Sequence, residues 1–162
     1  MRNKIIGVMG PGFGSTEKEN RDAFELGQLI AKEGWILLSG GRNVGVMDYA
    51  SKGAKEAGGL TIGVMPTADP TIISDAIDIP IITNISSARN NINVLSSDVI
   101  IACGTSLGTI TEIAFALIEK KKVILINQFD ECVELFKKLG KENINVVNTP
   151  KEAIKLVKKI FE

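Results

Sequence analysis

Three glycine-rich turns follow strand-like apolar segments and precede segments with helical periodicity, at 10–16, 40–45 and 104–109. The free N–H groups at a helix N-terminus favour an anion, and glycine lets the backbone approach a phosphate closely. Three such turns at one sheet edge predict a phosphate-binding site, although any one of them is equally well explained as a tight turn. The candidate binding residues are Gly10, Gly12, Gly40, Gly41, Asn43, Gly45, Gly104, Thr105, Ser106, Gly108 and Thr109.

Two ionisable residues lie near these turns. Glu112 follows the third turn, where its charge would be favoured by the helix N-terminus. Because Thr109 precedes it by three residues, Glu112 is also explained as the second half of a capping box. Arg89 opens a polar stretch with Asn90, which suits either a solvent-exposed helix face or a polar cleft. Arg42 in the second turn is open to the same two interpretations, a phosphate contact or an exposed loop residue.

Several kinds of site are excluded by the residues present. The chain has no histidine, so histidine bases and histidine-ligated zinc are absent. The first turn lacks the GxGxxG spacing of a dinucleotide site, and Val46-Met47 stand where a phosphate-loop ATPase has Lys-Ser/Thr. We expect Cys103, at the end of a strand, to be a small buried hydrophobe instead of a nucleophile. No metal-ligand spacing is found, and no metal site is predicted.

Strands and helices alternate along the chain, as in an α/β protein, and this order positions the turns. Apolar runs predict strands at 5–9, 35–38, 60–65, 81–85, 98–103, 123–126 and 145–147. Helices are predicted after a Thr16 cap, after the second turn, from Ser86 or Ser87 to about 95, at 109–119, at 130–139 and at 150–161. Several strands lack polar alternation, which is typical of parallel sheets covered on both faces. We therefore predict a doubly wound, mainly parallel, Rossmann-like three-layer sandwich forming one domain over residues 1–162. The irregular segment 66–80 is a possible lid or subunit contact.

Composition narrows the class of partner. Lys plus Arg and Asp plus Glu each number 19, so the chain lacks the basic excess of a nucleic-acid-binding protein. No apolar run approaches the roughly 20 residues of a membrane span, and no signal peptide is evident. Two cysteines without a CxxC spacing favour a soluble protein of the reducing cytoplasm.

Several of these motifs resemble a known enzyme family. Residues 39–47, Ser-Gly-Gly-Arg-Asn-Val-Gly-Val-Met, resemble the second glycine loop of the LOG (lonely guy) family, often mislabelled lysine decarboxylase. Residues 63–66 resemble its Gly-Val-Ile-Pro strand end, and residues 108–112 the last part of its PGGxGTxxE motif. Arg89 falls where that family carries its active-site arginine. The sequence is most similar to a related branch, the molybdenum-cofactor carrier-like proteins, which share the Ala-Arg-Asn stretch and the Gly-Thr-x-x-Glu loop.

This resemblance implies two alternative functions. The first is binding of a phosphorylated small molecule, a nucleotide or a molybdopterin-type cofactor, with no required cofactor. The second is cleavage of the N-glycosidic bond of a nucleoside 5′-monophosphate, with Arg89 and Glu112 as catalytic residues. Gly104-Thr105-Ser106 replaces the Pro-Gly-Gly of LOG enzymes, which puts the hydrolase activity in more doubt than phosphate binding. A homodimer or higher homo-oligomer is also implied. A structural or regulatory module with vestigial loops is a third possibility.

Overall fold

The computed structural model describes residues 2–162, which form a seven-stranded parallel sheet of order β4-β3-β2-β1-β5-β6-β7. The strands are β1 (Ile5–Met9), β2 (Ile36–Ser39), β3 (Thr61–Met65), β4 (Ile79–Ile82), β5 (Val99–Cys103), β6 (Val123–Ile126) and β7 (Ile144–Val146). The helices are α1 (Glu17–Lys32), α2 (Gly45–Glu56), α3 (Arg89–Ser96), α4 (Leu107–Ile118), α5 (Asp130–Gly140) and α6 (Pro150–Phe161). Short 3₁₀ turns span Pro70–Ile72, Ser86–Ala88 and Lys141–Asn143.

Two hydrophobic cores cover the two faces of the sheet. Helices α1, α2 and α6 pack on one face, against residues such as Ile6 and Ile101. Helices α3, α4 and α5 pack on the other face, against residues such as Ile100 and Leu125. The central strands are therefore buried on both sides, which explains their unbroken apolar character. The predicted three-layer Rossmann-like fold is confirmed. No helix in residues 2–162 has the length and apolar character required to cross a membrane.

The strand order reverses direction at β1. β1 pairs with β2 on one side and with β5 on the other, for example through Gly7↔Leu38 and Met9↔Ala102. At such a reversal the loops leaving neighbouring strands diverge to opposite faces of the sheet, and a crevice opens at the carboxyl ends of the strands. The first and third glycine turns follow β1 and β5, and thus border this crevice.

Helices α1 and α2 approach each other closely through glycine. A Cβ on Gly27 would lie 2.0 Å from the carbonyl oxygen of Ala50, and a Cβ on Gly53 would lie 1.9 Å from that of Phe24. Both positions therefore require glycine. This contact fixes α2, and with it the helix start that follows the second turn, against the rest of the fold.

The prediction for the fourth strand was wrong in its position. β4 runs from Ile79 to Ile82 instead of 81–85, in register with β3 from Ile62↔Ile79 to Met65↔Ile82. Pro80 lies in this edge strand, where its missing N–H costs no ladder bond to a further neighbour. Left-handed backbone at Asn84 (φ 53°) and Ser86 (φ 52°) then turns the chain into the 3₁₀ turn before α3. Neither Ser86 nor Ser87 caps α3, contrary to expectation.

Candidate functional site

A cavity of about 190 Å³ lies at the carboxyl edge of the sheet, where the strand order reverses. Several predicted site residues line it: Gly10, Gly12, Gly40, Arg89, Ser106, Gly108, Thr109 and Glu112. Four lining residues were not among the predicted site residues: Met9, Met47, Ser87 and Asn90. Arg42, left open between two interpretations, also lines the cavity. The structure thus brings together residues from all three glycine turns and from the start of α3.

Two predicted glycines support the turns without lining the cavity. Gly41 has φ 74°, and a Cβ there would lie 2.8 Å from the Cα of Gly63. Gly45 has φ 57°, and its Cβ would lie 2.2 Å from the carbonyl oxygen of Gly12. The first turn therefore folds directly over the start of α2. The N–H of Val46 donates to the carbonyl of Pro11 at 2.9 Å and joins the first two turns.

The other predicted residues outside the cavity are engaged elsewhere. The hydroxyl of Thr105 contacts Oε1 of Gln128 at 2.9 Å and accepts the N–H of Phe129 at 3.0 Å. Gly104 has φ 85° and lies against the side chain of Glu19. These residues shape the third turn from behind, and in this structure their polar groups do not face the cavity.

The segment 66–80, predicted as a possible lid or subunit contact, is hydrogen-bonded to the second turn. Asn43 donates its N–H to the carbonyl of Ile72 at 2.8 Å and its Nδ2 to that of Thr71 at 3.0 Å. Ser74 donates its N–H to the carbonyl of Gly41 at 2.9 Å and its hydroxyl to Asp48 at 2.6 Å. The segment therefore supports the second turn from the side opposite the first.

The helix that follows the third turn begins at the cavity. Ser106 is the N-cap of α4, and its hydroxyl accepts the N–H of Thr109 at 3.2 Å. The first N–H groups of the helix have no intrahelical acceptor and attract an anion. The start of α1 differs, because Thr16 and Glu19 close it with the predicted capping box. The first turn therefore contributes Gly10 and Gly12 to the cavity, but no free helix terminus.

Glu112 is not part of a capping box, so that interpretation was wrong. Ser106 occupies the N-cap, one turn earlier than the box requires. The carboxylate of Glu112 instead accepts a hydrogen bond from Nδ2 of Asn93 at 2.8 Å, and the residue is only 6% exposed. Burial raises the pKa of Glu112 to about 7, against the opposing effects of the Asn93 bond and the Arg89 charge. Glu112 is thus poised between its neutral and charged forms near neutral pH.

Arg89 is also buried, at 8% exposure, and is tied to backbone and side-chain acceptors. Its Nε donates to the carbonyl of Val64 at 2.7 Å, and Nη1 donates to Oδ1 of Asn90 at 3.2 Å. Burial lowers the pKa of the Arg89 guanidinium, and the charge of Glu112 opposes this effect. No ion pair joins Arg89 to Glu112 in the part of the chain described, although both line the cavity. The cavity is therefore lined by a guanidinium and by a carboxyl group that are not paired with each other.

Gly40 allows Arg89 to take this position. A Cβ at Gly40 would lie 2.9 Å from Nη2 of Arg89 and 2.6 Å from the sulfur of Met47. Any side chain there would displace the guanidinium or the methionine. The glycine of the second turn is thus required by a neighbouring side chain as well as by the turn itself.

The chemistry available in the cavity is that of anion binding. Two guanidinium groups, Arg42 and Arg89, face one carboxyl group whose charge is disfavoured by burial. Burial also raises the pKa of Cys103 to about 12, which agrees with its interpretation as a buried hydrophobe. Residues 2–162 contain no cluster of three or more Cys, Asp and Glu side chains able to hold a metal ion.

Comparison with known proteins places the chain among relatives of the LOG enzymes. The molybdenum cofactor binding protein of Rippkaea orientalis is 54% identical, with a TM-score of 0.98 over 100% of this chain and 99% of that one. The molybdenum cofactor carrier protein of Chlamydomonas reinhardtii is 50% identical, with a TM-score of 0.94 over 99% of each chain.

The similarity to a LOG enzyme is partial. A cytokinin riboside 5′-monophosphate phosphoribohydrolase of Mycobacterium tuberculosis is 32% identical over 93 residues, which are 56% of this chain and 50% of that protein. These relationships confirm the resemblance to the LOG superfamily and, within it, to the molybdenum-cofactor carrier-like branch. The model of the SLOG cluster4 family (LDcluster4) matches residues 3–154, and the chain therefore belongs to the SLOG cluster4 family.

Proposed function

We propose that this protein binds a phosphorylated small molecule of the molybdopterin type, or a nucleotide, in the cavity at the strand reversal. One observation carries the proposal: the buried Arg89 and the first turn of α4, at Gly108, line the same cavity. Both a guanidinium and a helix N-terminus favour an anionic group. The full-length similarity to proteins named for the molybdenum cofactor supports the molybdopterin class. In this proposal Ser106, Thr109 and the glycines of the turns surround the phosphate.

Binding is favoured over N-glycosidic hydrolysis by the full-length similarity to the cofactor-binding relatives, and the partial protonation of Glu112 agrees with it. A carboxylate that stabilises an oxocarbenium-like transition state has to be ionised. Because burial raises the pKa of Glu112 to about 7, only about half of this carboxyl group is ionised at neutral pH. In addition, the phosphoribohydrolase relative matches little more than half of the chain. A neutral carboxyl group in the cavity removes a negative charge that would repel a phosphate.

The test is calorimetry with AMP, GMP, their ribosides and a molybdopterin-type ligand, with an assay for free base in the same samples. We expect the phosphorylated ligands to bind, the ribosides to bind much more weakly, and no base to be released. Equal binding of nucleotides and ribosides would contradict a phosphate site. Release of base that is abolished by Glu112→Gln, with binding retained, would make the protein an enzyme.

We also propose that the protein is a homodimer or a higher homo-oligomer. Helix α4 is apolar on its solvent side as well as its core side, with Leu107 84% exposed and Ile118 70% exposed. A helix that is apolar all round is normally buried. Edge strand β4 carries further exposed isoleucines, Ile79, Ile81 and Ile82. Light scattering after size exclusion should give a multiple of 17.4 kDa, and Ile118→Glu should reduce it. A monomeric wild-type protein would contradict this proposal.

Two further expectations belong with this proposal. Unpaired thiols at Cys103 and Cys132 support a role in the cytoplasm. The equal numbers of acidic and basic residues support a small-molecule ligand over a nucleic acid. We take the chain to act as one domain, because a single sheet contains strands from Ile5 to Val146.

A further inference from the structure

The cavity is too small for the whole of the proposed ligand. Its volume is about 190 Å³, whereas sites that enclose a complete small molecule are roughly 300–1,000 Å³. A phosphate and the atoms next to it fill such a space, so the ring system of a nucleotide or a pterin has to extend beyond the mouth. The residues at the mouth therefore contact the ring.

An exposed aromatic residue lies beside one of the cations that line the cavity. Phe13, between Gly12 and Gly14, is 80% exposed and is not part of either hydrophobic core. The guanidinium carbon of Arg42 lies 5.2 Å from the centroid of its ring, which is a cation–π distance. An exposed phenylalanine makes no contribution to a core, and its flat face is available for stacking.

Arg42 is fixed at its backbone and has an unused donor. Its main chain forms an antiparallel bridge with Ile73 of the supporting segment. Its Nε is buried and has no hydrogen-bond partner within the described residues, and the side chain lines the cavity. A buried N–H without an acceptor is costly, and an anionic ligand would supply the acceptor. The exposed ring of Phe13 lies against this guanidinium, with a distance of 5.2 Å from the guanidinium carbon to the ring centroid.

The apolar start of α4 is less suitable for the ring. There, Leu107 and Phe115 border a second depression of about 410 Å³, which shares Ser87, Asn90 and Gly108 with the cavity. This depression is continuous with the apolar face of α4, which the proposed oligomer covers. The described residues that line it include no cation.

We propose that Phe13 and Arg42 determine the selectivity of the site for ligands that combine an anionic group with a flat heteroaromatic ring. Arg42 binds the anion, and Phe13 stacks on the ring through the face that Arg42 leaves open. Free phosphate or a sugar phosphate receives only the first contact. This inference rests on the proposed binding of a phosphorylated ligand, and it adds the ring as a required feature.

The experiment compares four probes by calorimetry on the full-length protein: inorganic phosphate, ribose 5-phosphate, AMP and the phosphate monoester of 6-hydroxymethylpterin. Stacking on an aromatic side chain predicts at least about tenfold tighter binding of a ring-bearing probe than of ribose 5-phosphate. Phe13→Leu should abolish this ratio and change the affinity for inorganic phosphate by less than about twofold, whereas Phe13→Tyr should retain the ratio. Arg42→Gln should weaken all four probes, and Arg42→Lys should weaken them less. Because Phe13 is exposed, the Phe13 variants should melt as the wild type does.

Phe13→Leu should weaken either AMP or the pterin monoester more strongly. The probe that loses more affinity identifies the class of ring that the site prefers. An unchanged ratio in Phe13→Leu, an equal loss of inorganic phosphate, or loss of the ratio in Leu107→Ala instead would overturn the inference. If the wild type binds phosphates without preferring rings, this inference fails and the proposed function stands. If it binds none of the four probes, the proposed function itself fails.

Discussion

Asn93 of α3 donates a hydrogen bond from Nδ2 to Oε1 of Glu112 of α4, at 2.8 Å, across the packed interface of the two helices. Asn93 is fully buried, and its Oδ1 has no partner among residues 2–162. The amide therefore gives one bond to the carboxyl group and leaves one buried acceptor unused. Together with burial, this hydrogen bond sets the pKa of Glu112.

Glu112 should make the stability of the ligand-free protein fall as pH rises. Its pKa is about 7 in the folded protein and 4.5 in its reference state, so the folded protein holds the proton more tightly. The contribution of Glu112 to the free energy of unfolding is then highest below about pH 4.5 and decreases until about pH 7, by about 3 kcal/mol. Urea unfolding at several pH values should show that Glu112→Gln gains stability relative to the wild type between pH 5 and 8. A constant difference across that range would contradict the assigned pKa.

Removal of the Asn93 amide should raise the pKa of Glu112 further. The Nδ2 donor favours the charged carboxylate, and Asn93→Leu keeps the buried volume without that donor. We expect an increase of about one pKa unit. The carboxyl ¹³C shift of Glu112, followed through a pH titration, measures it directly. Asn91→Leu, at an exposed position of the same helix, is the matched control and should leave the titration unchanged.

Gly108→Ala should increase stability and decrease ligand affinity. A Cβ there meets no atom closer than 3.7 Å, so the empty protein accommodates it. Alanine within a helix is favoured over glycine by about 1 kcal/mol. The added methyl group nevertheless enters the cavity beside the first amides of α4, where we expect at least about a tenfold loss of phosphate affinity. Chemical unfolding measures the expected gain in stability, and calorimetry on the same preparation measures the expected loss of affinity. A variant that binds as well as the wild type would place the phosphate elsewhere.

Two substitutions at Ser106 distinguish its role in helix capping from a role in anion binding. Ser106→Ala removes the acceptor for the Thr109 N–H and should cost about 1 kcal/mol of stability. Ser106→Asp supplies a carboxylate acceptor and should restore the stability, but its negative charge should abolish phosphate binding.

The control for Ser106→Asp is the same change at another N-cap. Thr149 caps α6, where its hydroxyl accepts the N–H of Glu152 at 3.2 Å, and it does not line the cavity. Thr149→Asp should retain both stability and binding. Phosphate binding by Ser106→Asp at wild-type affinity would show that the anion does not lie at the start of α4.

The elements of the fold were predictable because each depends on residues close together in the chain. Apolar runs without alternation gave the strands, and Thr16 with Glu19 gave the start of α1. β4 was placed two residues too late, because its position depends on pairing with β3, which a local pattern does not encode.

The site was predictable only in outline. The glycine turns located the cavity, but Gly40 and Gly41 are adjacent and only Gly40 lines it. Glu112 fitted a capping box by spacing, and the contact that overrules this interpretation comes from Asn93, on a different helix. The polar stretch that begins at Arg89 was noticed in the sequence, yet its role depends on how α3 packs on α4. The exposure of Phe13 and the buried Nε of Arg42, which has no partner among residues 2–162, likewise depend on the tertiary structure.

The reversal of strand order divides the cavity between two distant parts of the chain. Its lining begins at Met9 and is complete only at Glu112. A nascent chain synthesised as far as α3 therefore carries the first two glycine turns and Arg89, but neither Ser106 nor Glu112. Under the proposed function, capture of a ligand requires that the sheet has already joined β5 to β1. Loading is then a late step of maturation, and we expect a product truncated before α4 to compete poorly for the ligand.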